Sequence, residues 1–158
     1  MSNQNRFQPP EDEDGWTVFY VENQSCCWWA YGTQDQDADP QVYIGDRDHA
    51  TYTAVGCRLD GFLTSAAFLE AVFGAPAGRA GECHPDRLDE LLALERVELA
   101  HLGWVAIPTW HYRGSDVIAI ADVVHPESAF AFIGARSEEA LRDLDHRLSA
   151  SPDWHPTS

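Results

Sequence analysis

The stretch VFYVENQSCCWWAYGTQDQDADPQVYIG, residues 18–45, decides the fold expected for this chain. Residues 16–21 carry aromatic and β-branched side chains on both alternating faces, which predicts a central strand. A polar turn at residues 22–25 leads into CCWWAY, residues 26–31, and this arrangement predicts a hairpin. After an aspartate-rich loop, QVYI at residues 41–44 predicts a third strand.

Outward from this region the chain predicts a further strand and then a helix. Residues 49–57 have strand character, and LDGFLTSAAFLEAVFG, residues 59–74, has apolar side chains at approximately helical spacing. Asp60 is a suitable N-cap, and the glycine that closes the stretch is a natural end. Phe19 and Leu63 occupy positions that the two patterns mark as buried, so both are expected in the core.

The second half of the chain predicts a mixture of strands and helices. We expect a loop over 75–83, a helix from Pro85 to about Leu102, strands over 104–112, 116–124 and 129–135, and a last helix capped by Ser137 with Leu141, Leu144 and Leu148 on one face. The fold class is therefore α+β, with a twisted, mainly antiparallel sheet packed against helices. We expect a flexible acidic arm at residues 1–15, one domain over 16–150 and a C-terminal tail at 151–158.

The charge of the chain limits what it binds. It has 26 acidic residues against ten basic ones, all of them arginine, and a formal net charge of −16. Such a charge repels nucleic acids and anionic membranes and attracts basic proteins. Over residues 11–60 there are 11 acidic residues against two arginines, a balance of −9. Simple solubility is the alternative explanation of this acidity.

The expected compartment is the cytoplasm. No apolar run approaches 18 residues, and the polar start of the chain does not resemble a secretory signal. The four cysteines, Cys26, Cys27, Cys57 and Cys83, form no CxxC pair, so we expect free thiols without metal. The seven histidines lack a ligand partner at i+4, and no catalytic motif is present, so neither a cofactor nor an enzyme is expected.

Acidic and aromatic side chains near the hairpin are the candidates for partner binding. Adjacent residues on a strand point to opposite faces, so we expect at least one of Trp28 and Trp29 to lie near the surface or under another element. An exposed tryptophan there is expected to act as a hot spot. The predicted binding face combines these tryptophans with loop aspartates whose neutralisation should leave the fold intact: Asp35, Asp37, Asp39, Asp46 and Asp48.

Residues 18–45, together with the Phe-Leu pattern of residues 59–74, resemble the SUKH superfamily of Smi/Knr-like proteins. The resemblance covers about residues 14–74 and gives a structural role to the motif residues Glu22, Asn23, Gln24, Pro40 and Tyr43. Members usually have a helical segment ahead of the first strand, and we expect this segment to be either dispensable here or supplied by another chain.

The resemblance implies a function as well as a fold. Many bacterial members are immunity proteins that bind and block toxins, often nucleases, so we expect a non-enzymatic protein that neutralises a basic toxin. A regulatory or scaffold protein using the same sheet is the first alternative, and a small hydrolase is a remote one. A homodimer is left open.

Overall fold

The computed structural model describes residues 15–21, 27–46, 51–102 and 108–157, and this part of the chain has an α+β fold. All of its strand pairs are antiparallel, as the sequence predicts. The strands are β1 (Trp16–Val21), β2 (Cys27–Gly32), β3 (Gln41–Asp46), β4 (Tyr52–Arg58), β5 (Ala77–Cys83), β6 (Glu95–Val97), β7 (Thr109–Arg113), β8 (Val117–His125), β9 (Ser128–Ala135) and β10 (His155–Pro156). The helices are α1 (Leu59–Phe73), α2 (Leu88–Leu92) and α3 (Glu138–Ala150).

The described residues group into two compact units, whereas the sequence analysis treats 16–150 as one domain. The first unit consists of the described residues of Met1–Leu63 and Ala100–Val105. The second consists of those of Thr64–Leu99 and Ala106–Ser158. Each unit has its own sheet, one of four strands and one of six.

The sheet of the first unit is a four-stranded meander in the order β1-β2-β3-β4. The predicted hairpin is confirmed, but β1 lies at the edge of this sheet, so the prediction of a central strand is wrong. The β3–β4 register shifts between Gln41 and Tyr43, and Gly56 on β4 has a φ of 86°. Because side chains rarely adopt this φ, the irregularity of the edge strand β4 requires a glycine at this position.

The first half of α1 supplies Phe62 to the core of the first unit. The Phe62 ring contacts the rings of Trp29 and Phe19 at centroid distances of 5.5 and 5.2 Å. Phe62 is fully buried, whereas Phe19 is only half-buried because it lies on the edge strand β1.

The prediction that Leu63 is buried is wrong, since its side chain is 50% exposed. The buried positions of α1 are Phe62, Ser65, Ala66 and Val72, which follow one helical stripe. Leu63 lies about 100° around the helix from Phe62, on the side away from Ser65 and Val72, and so falls outside this stripe.

The six-stranded sheet of the second unit has the order β10-β5-β9-β8-β7-β6. One face packs against α2 and α3 and forms the principal core, with Leu141, Leu144 and Leu148 fully covered. The predicted cap of α3 is confirmed, because the Ser137 hydroxyl accepts a hydrogen bond from the Ala140 amide. On the opposite face, the ring of Phe73 contacts that of Phe132 at 5.1 Å.

Two predicted elements of the second unit are wrong. The expected loop over 75–83 contains β5, which pairs along its whole length with β9. The expected helix from Pro85 to Leu102 is a 3₁₀ turn at Pro85–Arg87 followed by α2, which ends at Leu92 because Ala93 has a left-handed φ of 49°. The Arg147 guanidinium donates to the carbonyls of Leu91 and Leu92, so a side chain from α3 caps this helix end.

The predicted C-terminal tail is part of the fold. Strand β10 pairs with β5, and the Thr157 amide donates to the Ala80 carbonyl. The Trp154 indole is buried over Gly81, where an added Cβ would lie 2.3 Å from the ring. Gly81 of β5 therefore leaves space for Trp154, which packs residues 151–158 against the sheet.

Candidate protein-binding site

The aspartate-rich loop between β2 and β3 is held by hydrogen bonds from its own side chains. The Asp37 amide donates to Asp35 Oδ1 at 3.1 Å, and the Asp39 amide donates to Asp37 Oδ1 at 3.2 Å. The Thr33 amide donates to the Gly15 carbonyl at 2.8 Å, which attaches the start of the loop to the residue before β1. These bonds order an exposed loop that carries three carboxylates.

Arg58, the last residue of β4, pairs with two of the three carboxylates. Its guanidinium bonds to the Asp37 carboxylate, and its Nε lies 3.3 Å from Asp39 Oδ2. The hydrogen bond from the Asp39 amide and the Arg58 guanidinium hold the pKa of Asp37 below its usual range. Among the described residues of the first unit, five aspartates accompany one arginine, so this pairing leaves a negative balance.

Asp39 also caps α1. The Asp60 amide, in the first turn of this helix, donates to Asp39 Oδ1 at 2.8 Å. The next amide toward the N-terminus, that of Leu59, donates to the Pro40 carbonyl at 2.9 Å. The helix N-terminus is therefore satisfied from the loop, and Asp39 supplies a side-chain acceptor that the sequence analysis assigned to Asp60.

The expectation that neutralising the loop aspartates leaves the fold intact stays a prediction, although Asp37 and Asp39 both make contacts within the fold. Asp37 pairs with Arg58 and accepts from the loop backbone, and Asp39 accepts from the start of α1. Asp35 is the most independent of the three, because its hydrogen bonds in the described structure are local: Oδ1 accepts from the Asp37 amide, and its own amide donates to the Gly32 carbonyl. Its carboxylate is the best candidate for a contact with a partner.

The other two predicted aspartates do not join this loop in the described structure. Asp46 ends β3 opposite Cys27, and Gln41 begins the same strand beside the loop. At about 3.4 Å per residue, the two ends of β3 lie about 17 Å apart. Asp48 lies outside the described residues, so its place in the binding face stays a prediction.

Trp28 and Trp29 point to opposite faces of β2, as predicted, but both are buried, with 7% and 1% of their area exposed. The Trp28 indole lies over Gly45 of β3, where an added Cβ would be 2.6 Å from Nε1. The Trp28 Nε1 donates to the Tyr52 hydroxyl, and the Trp29 Nε1 donates to the Leu102 carbonyl. Both residues stabilise the sheet, and the prediction of an exposed tryptophan at this pair is wrong.

Three other aromatic side chains lie half-buried on the Trp28 face of the sheet. We call Trp16, Tyr43 and Tyr52 the aromatic face. The Trp16 ring stacks on Tyr52 at 4.3 Å and meets the edge of Tyr43 at 4.8 Å. The sequence analysis missed Trp16 and Tyr52 as binding candidates, although the β-strand alternation places Trp16 and Val18 on one face.

The motif residues taken from the resemblance have partly described roles. The Pro40 carbonyl accepts from the start of α1, and Tyr43 contacts Trp16, so both take part in the packing of the first unit. Glu22, Asn23 and Gln24 lie outside the described residues. Their proposed bonds within the hairpin turn stay a prediction.

Histidine, cysteine and carboxylate side chains are spread over the described part of the chain. There, no group of three or more His, Cys, Asp or Glu side chains is arranged to hold a metal ion. No helix among the same residues combines the length and apolar character needed to cross a membrane. Cys27, Cys57 and Cys83 are free thiols, and burial raises the pKa of the Cys83 thiol to about 11. A low-pKa nucleophile would need the opposite shift.

Comparisons with protein-family models, with curated proteins and with solved structures each found no match to this chain. The resemblance of residues 18–45 to the SUKH superfamily therefore stays a prediction.

Proposed function

We propose that this chain is a non-enzymatic, cytoplasmic protein-binding domain of the SUKH immunity type, which neutralises a basic toxin domain by direct binding. The observation that carries the proposal is the ordered acidic loop, in which the carboxylates of Asp35, Asp37 and Asp39 each accept from a backbone amide. Arg58 pairs with only Asp37 and Asp39. A loop that is already ordered loses little conformational entropy when it meets a partner.

Charge supports a basic protein as the partner. The chain has a net charge of −16, and the described part of the first unit is also negative. Opposite charges raise the association rate of two proteins and suppress partners of like charge. A nuclease toxin fits this chemistry, because nucleic-acid-binding surfaces are basic.

The test is affinity capture from the native host, followed by binding kinetics at low and physiological salt. The loop variant carries Asp35→Asn and Asp37→Asn, which remove two charges and retain the side-chain carbonyl acceptors. The matched control carries Glu139→Gln and Asp143→Asn, which remove two charges from exposed positions of α3 in the second unit.

We expect the captured partner to be basic and to inhibit growth when it is expressed without this chain. The loop variant should associate more slowly and with a weaker dependence on salt, because exposed charges act through screened, long-range attraction. The control should associate like the wild type. Capture of an acidic partner, or equal rates and salt slopes for loop variant and wild type, would contradict the proposal.

A further inference from the structure

The aromatic face lies on one side of the four-stranded sheet, the side that also carries Trp28. The Trp16, Tyr43 and Tyr52 side chains come from three different strands, yet their rings are in mutual contact around Trp16. On this face the intervening strand β2 places Ala30 and Gly32 opposite Tyr43 and Trp16, and Trp28 of the same strand donates to the Tyr52 hydroxyl. The rings remain half-buried, which leaves part of each accessible.

Rigid tryptophan and tyrosine side chains are typical anchors of protein interfaces. They bury a large area and lose little rotamer freedom, and alanine scans find them enriched among hot spots. Tyr52 is further fixed because its hydroxyl accepts from the buried Trp28 indole. The aromatic face is thus already arranged before a partner arrives.

The acidic loop borders this face. Trp16 pairs with Gly32, the last residue of β2, and the loop begins at the next residue, whose amide bonds to Gly15. A cation that reaches the Trp16 ring therefore enters the negative field of the loop aspartates. Aromatic ring faces attract cations through their quadrupole, and nearby carboxylates add to that attraction.

We infer that the aromatic face is the anchor of the proposed interface and takes an arginine side chain from the basic partner. A planar guanidinium stacks on aromatic rings and also donates to carboxylates, so arginine fits this surface better than lysine. The chain contains the same type of contact in its second unit, where the Arg96 guanidinium lies 4.0 Å from the centre of the Trp110 ring. This inference rests on the proposed function.

The probe is a short synthetic peptide of alternating arginine and glycine, compared with its lysine and citrulline counterparts in calorimetric titrations at low salt. Trp16→Phe retains an aromatic ring, whereas Trp16→Leu retains apolar volume without one. The control is Phe73→Leu, which alters an aromatic side chain in the second unit that is 56% exposed. Circular dichroism and thermal unfolding establish that each variant is folded.

We expect the arginine peptide to bind more tightly than the lysine peptide, and the neutral citrulline peptide to bind weakest. Trp16→Leu should weaken arginine binding about fivefold, the effect of one exposed cation–π contact. Trp16→Phe should weaken it less, and Phe73→Leu should leave it unchanged. If Trp16→Leu does not fold, the comparison of Trp16→Phe with Phe73→Leu decides the point.

Three results would overturn the inference: equal binding of the citrulline and arginine peptides, equal effects of Trp16→Leu and Trp16→Phe, or a matching loss in Phe73→Leu. Capture of the native partner separates this inference from the proposed function. A basic partner whose binding is unaffected at Trp16 would contradict the anchor alone. Arginine-peptide binding at Trp16 without any basic partner in the host would contradict the immunity role alone.

Discussion

Replacing Asp39 by alanine tests whether the acidic loop stabilises the fold. In the structure, Asp39 Oδ1 accepts from the Asp60 amide at 2.8 Å, and Oδ2 lies 3.3 Å from Arg58 Nε. Alanine removes both interactions, whereas asparagine keeps an oxygen that can accept the helix amide. The pair Asp39→Ala and Asp39→Asn therefore separates the cap from the charge.

The expected loss follows from the two interactions. Removal of a side-chain cap at a helix N-terminus costs about 1 kcal/mol, and an exposed ion pair contributes at most about 1 kcal/mol. We expect the free energy of unfolding to fall by about 1–2 kcal/mol in Asp39→Ala. Asp39→Asn should lose about 0.5 kcal/mol, because the favourable charge at the helix N-terminus is lost while the acceptor remains.

The assay is urea unfolding at pH 7, followed by far-ultraviolet circular dichroism and by tryptophan fluorescence, with Asp35→Ala as the control. Asp35 accepts only within the exposed loop, so its replacement should cost less than about 0.5 kcal/mol. A lowered midpoint with an unchanged slope would report a change in stability. If Asp39→Ala unfolds at the same midpoint as Asp35→Ala, the capping role of the loop is refuted.

Four further predictions concern packing and pH. Gly45→Ala should lower the free energy of unfolding by about 1–3 kcal/mol, because the new Cβ displaces the Trp28 indole. Gly32→Ala is the control, since a Cβ there has open space and should have little effect. Equal urea midpoints for the two variants would contradict this prediction. Trp154→Ala should cost about 3–5 kcal/mol in the same assay, since a buried indole is removed, and a wild-type midpoint would restore the interpretation of 151–158 as a tail. Because the pKa of the Cys83 thiol is raised to about 11 in the folded chain, its contribution to the free energy of unfolding is fully present below the unfolded-state pKa and is lost as pH rises toward about 11. The free energy of unfolding measured from pH 8 upward should therefore fall less steeply in Cys83→Ala than in the wild type. Because the pKa of Asp37 is lowered in the folded chain, its contribution to the free energy of unfolding is present above about pH 4 and is lost as pH falls further. The free energy of unfolding of Asp37→Asn should therefore depend less on pH in acid than that of the wild type.

The sequence predicted those elements whose local signals agree with their final environment. The hairpin of β1 and β2 follows from strand-forming residues on both sides of a polar turn, and the structure places β1 at the predicted residues. Helix α3 has a serine cap, acidic residues in its first turn and one apolar stripe, and all three signals remain valid in the folded chain. Such elements depend little on distant partners.

The failures occur where distant residues decide the local structure. The AGRAGEC segment of β5 has few strand-forming side chains, and it is a strand because β9 and β10 pair with it and Trp154 covers its glycine. Helix α2 ends at Leu92 without a glycine signal: Ala93 takes the left-handed conformation, and Arg147 from α3 caps the last carbonyls. Neither partner can be identified from local spacing.

The candidate site was predicted in composition but not in arrangement. The sequence correctly placed Trp28 and Trp29 on opposite faces of one strand. Neither is exposed, because Tyr52 contacts Trp28 on one face and Phe62 contacts Trp29 on the other. Likewise the alternating aspartates of the loop predict its negative charge. They do not predict the ion pair with Arg58, which lies 21 residues away from Asp37 in the sequence. Burial and pairing are long-range properties, which a local pattern does not report.

The same arrangement explains how an acidic loop can serve both the fold and a partner. A carboxylate has two oxygens and several acceptor sites, so Asp39 can accept from the helix with one oxygen and lie near Arg58 with the other. The backbone bonds order the loop without removing its negative charge, since one arginine does not balance three aspartates. A mutation that removes the structural acceptor would weaken binding through disorder, even where the residue never touches the partner. Neutralisation that preserves the acceptors, as in Asp35→Asn, therefore separates an electrostatic role in binding from a structural one.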